Sequence, residues 1–298
     1  MNKRVLVYCP GSCGELIQGL INGKELLISY PIELGTTLWI EFSDKREKAN
    51  LMPKMRDAIV KTLNFIEVPE RYIENIKIKR ESQLTFGKGM SSSTADIAST
   101  VLGIGTLFGV EIDNNMIARI AVSIEPTDSI IFEDITLFDS LKGEVILPLT
   151  PVPSLKVIVL EGKGFVDTLE YHNKITKDLY SYASEWDDIY SKMEYALKSK
   201  DWSNVGISAI RSAKIQQKIL PKPYLEDIIE CALEFGAYGV NVAHTGTAVG
   251  IFMDEMIDEF RIIERLSRLK IIEIYGRYFV TRMVKGGPRV LDIIPFSY

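Results

Sequence analysis

Gly87-Lys88-Gly89-Met90-Ser91-Ser92-Ser93-Thr94-Ala95 puts consecutive hydroxyls between flexible small residues and the start of an apolar helical pattern. A helix start leaves backbone N–H groups without intrahelical acceptors and carries the positive end of the helix dipole, so a phosphate is stabilised there. The glycines permit close backbone approach, Lys88 adds a cation, and a serine hydroxyl can reach a metal ion bound to the same phosphates. A serine-rich turn that only caps its helix has the same composition. It is not a Walker loop, because Lys88 is followed by Gly89 rather than by Ser or Thr. Further on, Glu125-Pro126-Thr127-Asp128 sets two carboxylates around a proline where a helical pattern ends. Asp128 in such a place can take or orient a hydroxyl proton, and a solvated acidic turn reads the same way. Thr245-Gly246-Thr247-Ala248 forms a polar turn between apolar runs. The chemistry that needs an anion cradle and an oriented hydroxyl together is phosphoryl transfer, which depends on alignment and charge stabilisation. His244 and His172 are given no proton-transfer role.

The elements that must position these groups follow from periodicity. Residues 4–8 and 34–42 read as strands separated by a glycine-punctuated segment. Met55, Ala58, Ile59, Thr62, Leu63 and Ile66 keep helical spacing, and Ile76 and Ile78 alternate with lysines before the serine loop. After it, Ile97, Ala98, Val101, Leu102, Gly105 and Phe108 form one helical face, with Gly103, Gly105 and Gly109 as packing or terminating glycines. Asp113 caps a helix running to about residue 124, which Pro126 ends. Three prolines in Leu147–Pro153 mark a boundary near residue 150, giving domains 1–150 and 151–298. The second half reads as a strand at Leu155–Leu160, helices over 172–199, 201–219 and 223–235, strands at Val240–Val242 and Ala248–Phe252, a helix over 254–269, a strand over 271–284, and a turn at Gly286-Gly287-Pro288 before a tail. Mixed elements in both halves imply two α+β units.

The chain of 298 residues, 46% hydrophobic and 25% charged, has the balance of a soluble globular protein with room for a substantial core. A net charge of −5 gives no general basic surface for nucleic acid. Val5-Leu6-Val7-Tyr8 is cut short by Pro10-Gly11, against a secretory signal, and no apolar run approaches the roughly 20 residues of a membrane span. Cys9, Cys13 and Cys231 form no paired framework, so a reducing, cytoplasmic setting is expected.

Phe86–Ala95 resembles the central phosphate-loop motif of the GHMP kinases. Pro10-Gly11-Ser12-Cys13-Gly14-Glu15-Leu16-Ile17-Gln18-Gly19 is similar to the first motif of that family, and Gly236–Gly250 to its C-terminal glycine-rich motif. The resemblance implies an α+β, two-domain GHMP kinase fold, with a left-handed βαβ crossover in the N-terminal domain and a ferredoxin-like C-terminal domain. It implies ATP and Mg2+, with ATP phosphates at Gly87, Lys88, Gly89, Met90, Ser91, Ser92, Ser93 and Thr94. Magnesium is assigned to Glu125 and to Ser93, ahead of Ser92. Asp128 is the implied catalytic carboxylate, with Glu133 and Asp134 as alternatives nearby. The acceptor is expected between Ser12, Gly14 and Glu15 on one side and Thr245, Gly246 and Thr247 on the other. The lysine often found in the first motif is absent, so its contribution is expected from elsewhere, for instance Lys88. Pro-Gly-Ser-Cys-Gly-Glu-Leu-Ile-Gln-Gly, Glu-Pro-Thr-Asp-Ser and Gly164-Phe165-Val166-Asp167-Thr168 look most like the L-threonine kinases of adenosylcobalamin synthesis. That subgroup converts ATP and L-threonine to ADP and O-phospho-L-threonine. A homoserine kinase or other small-alcohol kinase of the family, and a nucleotide-binding regulator without turnover, stay open at this point. No nucleic acid or membrane partner is expected, and no role is assigned to Asp167 or Thr168.

Overall fold

The structure, a computed structural model, describes residues 3–43, 51–164 and 181–295. It opens with a long antiparallel hairpin, β1 (Lys3–Ile21) and β2 (Lys24–Phe42), turned at Asn22-Gly23 with both residues at positive φ. The segment expected to be a glycine-punctuated connection is therefore strand. Register shifts after Pro10, between Ser12 and Glu15, and between Glu15 and Ile17 absorb the glycines as bulges. Every residue from Cys9 to Ile21 is buried, which erases the alternation by which a half-exposed strand is recognised.

Helix α1 (Pro53–Phe65) buries Met55, Ala58, Ile59, Thr62 and Leu63, the stripe its spacing foretold. β3 (Ile76–Ser82) pairs with β2, and the loop beyond it feeds α2 (Ser92–Phe108). That helix lies close on the hairpin because Gly103 faces Ile40: a Cβ there would come within 2.3 Å of the isoleucine Cδ1. Gly109, at φ 77, ends it. In α3 (Asn114–Val122), Asp113 caps the start by accepting from Met116 N at 2.7 Å. The hairpin β4 (Ile135–Asp139) and β5 (Glu144–Thr150) follows.

β6 (Lys156–Glu161) leads to the helices α4 (Ala183–Ser199), α5 (Trp202–Ile219) and α6 (Leu225–Glu234). β7 (Gly239–Val242) and β8 (Ala248–Met253) flank the third polar turn. α7 (Glu259–Arg268) precedes a short α8 (Ile271–Tyr275) and β9 (Arg277–Arg282). The single strand expected over 271–284 is thus divided, with Gly276 at φ 86 as the break. The expected tail is a strand as well, β10 (Arg289–Pro295), paired with β1. Residues 172–180 of the expected helix, and with them His172, Asp167 and Thr168, lie outside the described residues.

The strands form one sheet in the order β5-β4-β2-β1-β7-β8-β6-β9, with β10 on β1 and β3 on β2. The halves join where Glu15 pairs with Val242, and one core cluster unites Ile17, Ile28 and Val101 with Val157, Trp186 and Phe252. The first and third motifs are thereby brought side by side at the middle of the sheet. No helix among the described residues is long and apolar enough to cross a membrane.

Candidate active site

Two stretches far apart in sequence close on Lys88-Gly89-Met90. From β1, the N–H groups of Ser12 and Gly14 donate to the carbonyls of Met90 and Gly89 at 3.1 and 3.0 Å. From the turn before β8, the N–H groups of Thr247 and Ala248 donate to the Lys88 carbonyl at 3.1 and 2.9 Å. Glycine is required at these contacts. A Cβ on Gly246 would lie 2.1 Å from the Lys88 carbonyl carbon, and one on Gly14 2.6 Å from Ala243 N. The serine loop is therefore held by backbone on both sides.

Its hydroxyls do not cap α2. Ser91, the N-cap residue, sits at φ 54 and ψ 29, a left-handed conformation uncommon for a residue with a side chain, and makes no side-chain cap bond. Its hydroxyl instead donates to Asp128 Oδ2 at 2.6 Å and lies 2.5 Å from Ser12 Oγ. The Ser92 hydroxyl accepts from Arg80 Nη2 at 3.4 Å, while Arg80 Nε spans both Asp96 oxygens at 2.8 and 2.9 Å. Ser93 donates to Glu125 Oε1. With the serines turned sideways, the first-turn amides of α2 get no cap from Ser91, as an anion cradle requires.

Asp128 is buried among donors. Ser29 donates to Oδ1, the Ile130 N–H reaches the same oxygen at 3.2 Å, and Ser12 lies 3.5 Å from Oδ2. Its own N–H donates to Thr94 Oγ1 at 3.3 Å, which fixes the turn against α2. Burial pushes the carboxyl up from 3.8 to about 6, helped by the charge of Glu15, while the bonds from Ser29, Ser91 and Ile130 oppose the rise. Glu15 is buried too. The His244 N–H donates to its Oε2 at 2.9 Å, and His244 Nδ1 lies 3.1 Å from the same oxygen. Lys222, buried beyond α5, is lowered to about 7 by burial, with the Glu15 charge pulling the other way.

Glu125 has other company. Besides Ser93, it accepts from Lys54 Nζ at 2.5 Å. Oxygen donors of this kind suit Mg2+, which keeps waters and phosphate oxygens and needs one or two protein groups. Among the described residues no cluster of His, Cys, Asp and Glu forms a closed metal cage. A hydroxyl and a carboxylate side by side fit the ion without one.

These groups face a cavity of about 370 Å³. Of the residues expected at the site, Gly87, Gly89, Met90, Ser91, Ser92, Ser93, Thr94, Glu15, Glu125, Asp128 and Thr245 line it. Ser12 touches it through Asp128 and Ser91, and Gly14 and Gly246 act as close-packed backbone beneath the loop. Lys88 is not in the lining: its ammonium donates to the carbonyls of Gly162, at 2.6 Å, and Gly164. Thr247 Oγ1 likewise donates to Gly162 O at 3.1 Å. Glu133 and Asp134 are exposed, Glu133 pairing with Lys285 at 2.7 Å. Sequence reasoning missed Ser29 and Lys54. Ser29 lay in the unrecognised strand, and a lone lysine in a helix's first turn has no spacing signal.

The description "GHMP kinases N terminal domain" matches residues 55–132, and "GHMP kinases C terminal" matches residues 193–270. An L-threonine kinase of Citrobacter freundii is 34% identical over 285 residues, 95% of this chain and 98% of the relative. One of Salmonella typhimurium is 31% identical over 287 residues, 96% of this chain and 95% of the relative. Among solved structures, a homoserine kinase from Cytophaga hutchinsonii superposes with a TM-score of 0.76 at 18% identity, covering 97% of both chains. That likeness is one of fold.

Proposed function

The chain belongs to the GHMP kinases, and from that premise we propose that it transfers the γ-phosphoryl group of ATP to the hydroxyl of L-threonine, giving ADP and O-phospho-L-threonine. The observation that carries this reading is Asp128: a buried carboxylate bonded at once to the serine loop through Ser91, to the first motif through Ser12 and to β2 through Ser29. A proton acceptor thus stands between a place for phosphate and a place for an alcohol. The choice of L-threonine draws on the two curated relatives, whose match extends over nearly the whole chain.

The loop amides and the start of α2 stabilise the triphosphate. Ser93 and Glu125 would hold Mg2+, which when bound supplies charge neutralisation at the phosphates. Ser29, Ser91 and the Ile130 N–H fix the Asp128 carboxylate. With its ionisation near 6, Asp128 is mostly deprotonated at neutral pH and basic enough to take the threonine hydroxyl proton as the new O–P bond forms and the bond to ADP breaks. Glu15 is the partner assigned to the acceptor's ammonium group. Cytoplasmic location and use of the product in cobalamin synthesis belong to the same reading, as does the division into domains 1–150 and 151–298.

The test is product mass after incubation with Mg·ATP and, separately, L-threonine, L-serine, L-homoserine and mevalonate. O-Phospho-L-threonine as the main product is expected. Preferential phosphorylation of homoserine or mevalonate would replace the acceptor, and ATP binding without any phosphorylated product would replace catalysis by regulation.

A further inference from the structure

The described lining of the cavity contains the carboxylates of Glu15, Asp96, Glu125 and Asp128 and a single cationic side chain, Lys54. A triphosphate brought into such an acidic space needs cations. Among the described residues, the other cations near the loop are committed: Arg80 bridges Asp96, Lys88 is bound to the carbonyls of Gly162 and Gly164, and Arg277 reaches Thr85 and Glu161. Lys54 is also oddly placed for a helix. It is the second residue of α1, where the positive end of the dipole disfavours a lysine. A local preference overridden in this way marks a residue held for another purpose.

What holds it is Glu125. The two oxygens of that carboxylate are divided, Oε1 taking the Ser93 hydroxyl and Oε2 the Lys54 ammonium. A divalent ion held by Ser93 and Glu125 must therefore compete with an ammonium already bonded to the same carboxylate. The carboxylate is nearly inaccessible, at 3%, whereas the lysine side chain is 44% exposed, so the lysine is the member with room to move. Its flexible stem carries a compact charge suited to following phosphate oxygens.

We propose that Lys54 is a nucleotide-binding residue that works by exchange: it neutralises Glu125, yields that carboxylate to the arriving metal ion, and transfers its ammonium to the triphosphate. It thereby supplies the cation missing from the first motif. The inference rests on the reading of Ser93 and Glu125 as the metal-holding pair.

The experiment uses the full chain with Lys54→Met, Lys54→Arg, and Glu125→Gln in the Lys54→Met background. Mn2+ binding is measured by electron paramagnetic resonance without nucleotide, and Mg·ATP and AMP binding by calorimetry. On the scale of one charge-assisted hydrogen bond, Lys54→Met should bind Mn2+ about tenfold more tightly and Mg·ATP about tenfold or more weakly. AMP affinity should stay unchanged, and Lys54→Arg should recover most of the ATP affinity. Unchanged Mn2+ and ATP affinities in Lys54→Met, or equal losses for ATP and AMP, would overturn the exchange. The Glu125→Gln background separates the two levels. Mn2+ binding that survives it would defeat the metal reading and the exchange together. Binding abolished there, with Lys54→Met silent, would defeat the exchange alone.

Discussion

Two carboxylates three residues apart on one turn line the same cavity in opposite company. Glu125 meets a lysine and a serine. Asp128 meets hydroxyls and a backbone N–H, and the charge of Glu15 acts on it repulsively. The first arrangement suits the handling of charge, since an ammonium is already bonded to it. The second manages a proton, since burial without a cation lifts its ionisation towards neutrality. Similar side chains are thus sorted into different chemistry by what surrounds them.

Removing the proposed proton acceptor should have the largest effect. Asp128→Asn is expected to keep Mg·ATP binding and lower turnover by about 100-fold or more, the scale of a positioned acid–base group. Turnover close to normal would take Asp128 out of the mechanism. The same variant carries a stability signature. Because the folded-state value is raised from 3.8 to about 6, the stability tied to the protonated form is complete below about pH 4 and lost as pH rises through 6. Denaturant midpoints should therefore favour Asp128→Asn over the parent progressively across that window, and a constant difference would contradict the burial argument.

Gly246→Ala probes the frame shared by both carboxylates. A methyl 2.1 Å from the Lys88 carbonyl carbon must displace the loop. Such overpacking typically costs about 1–3 kcal/mol, readable in chemical denaturation together with weaker ATP binding. Retention of both would mean that the turn does not brace the loop. Ser91→Ala gives the smallest change. Its hydroxyl lowers the Asp128 value, so its loss should move the acid limb of the activity profile upward in pH. A limb that moves downward, or not at all, would show that another group sets it.

The sequence displayed some of this openly and hid the rest for identifiable reasons. Ser91, Ser92 and Ser93 lie together in the chain and announce themselves, whereas Ser29 and Ser12 reach Asp128 only because β1 and β2 pair in a bulged register. The α1 stripe was visible because one face of that helix is exposed. β1 was visible only over residues 4–8, because from Cys9 onward both its faces are covered and its glycines and proline imitate a loop. Lys88 looked like the phosphate cation by adjacency, but its backbone is fastened to the turn at Thr247 and its side chain points to Gly162. Lys54, 39 positions before Ser93 in the numbering, reaches the turn of Glu125 through tertiary packing that no local spacing records.

The division of labour between the carboxylates is tested most directly by the Mg2+ concentration that half-saturates turnover, measured for Glu125→Gln and Asp128→Asn beside the parent. The requirement should rise sharply for Glu125→Gln and stay at the parental level for Asp128→Asn, whose residual rate is merely low. Equal shifts in both variants, or a shift confined to Asp128→Asn, would contradict the assignment of charge to one carboxylate and the proton to the other.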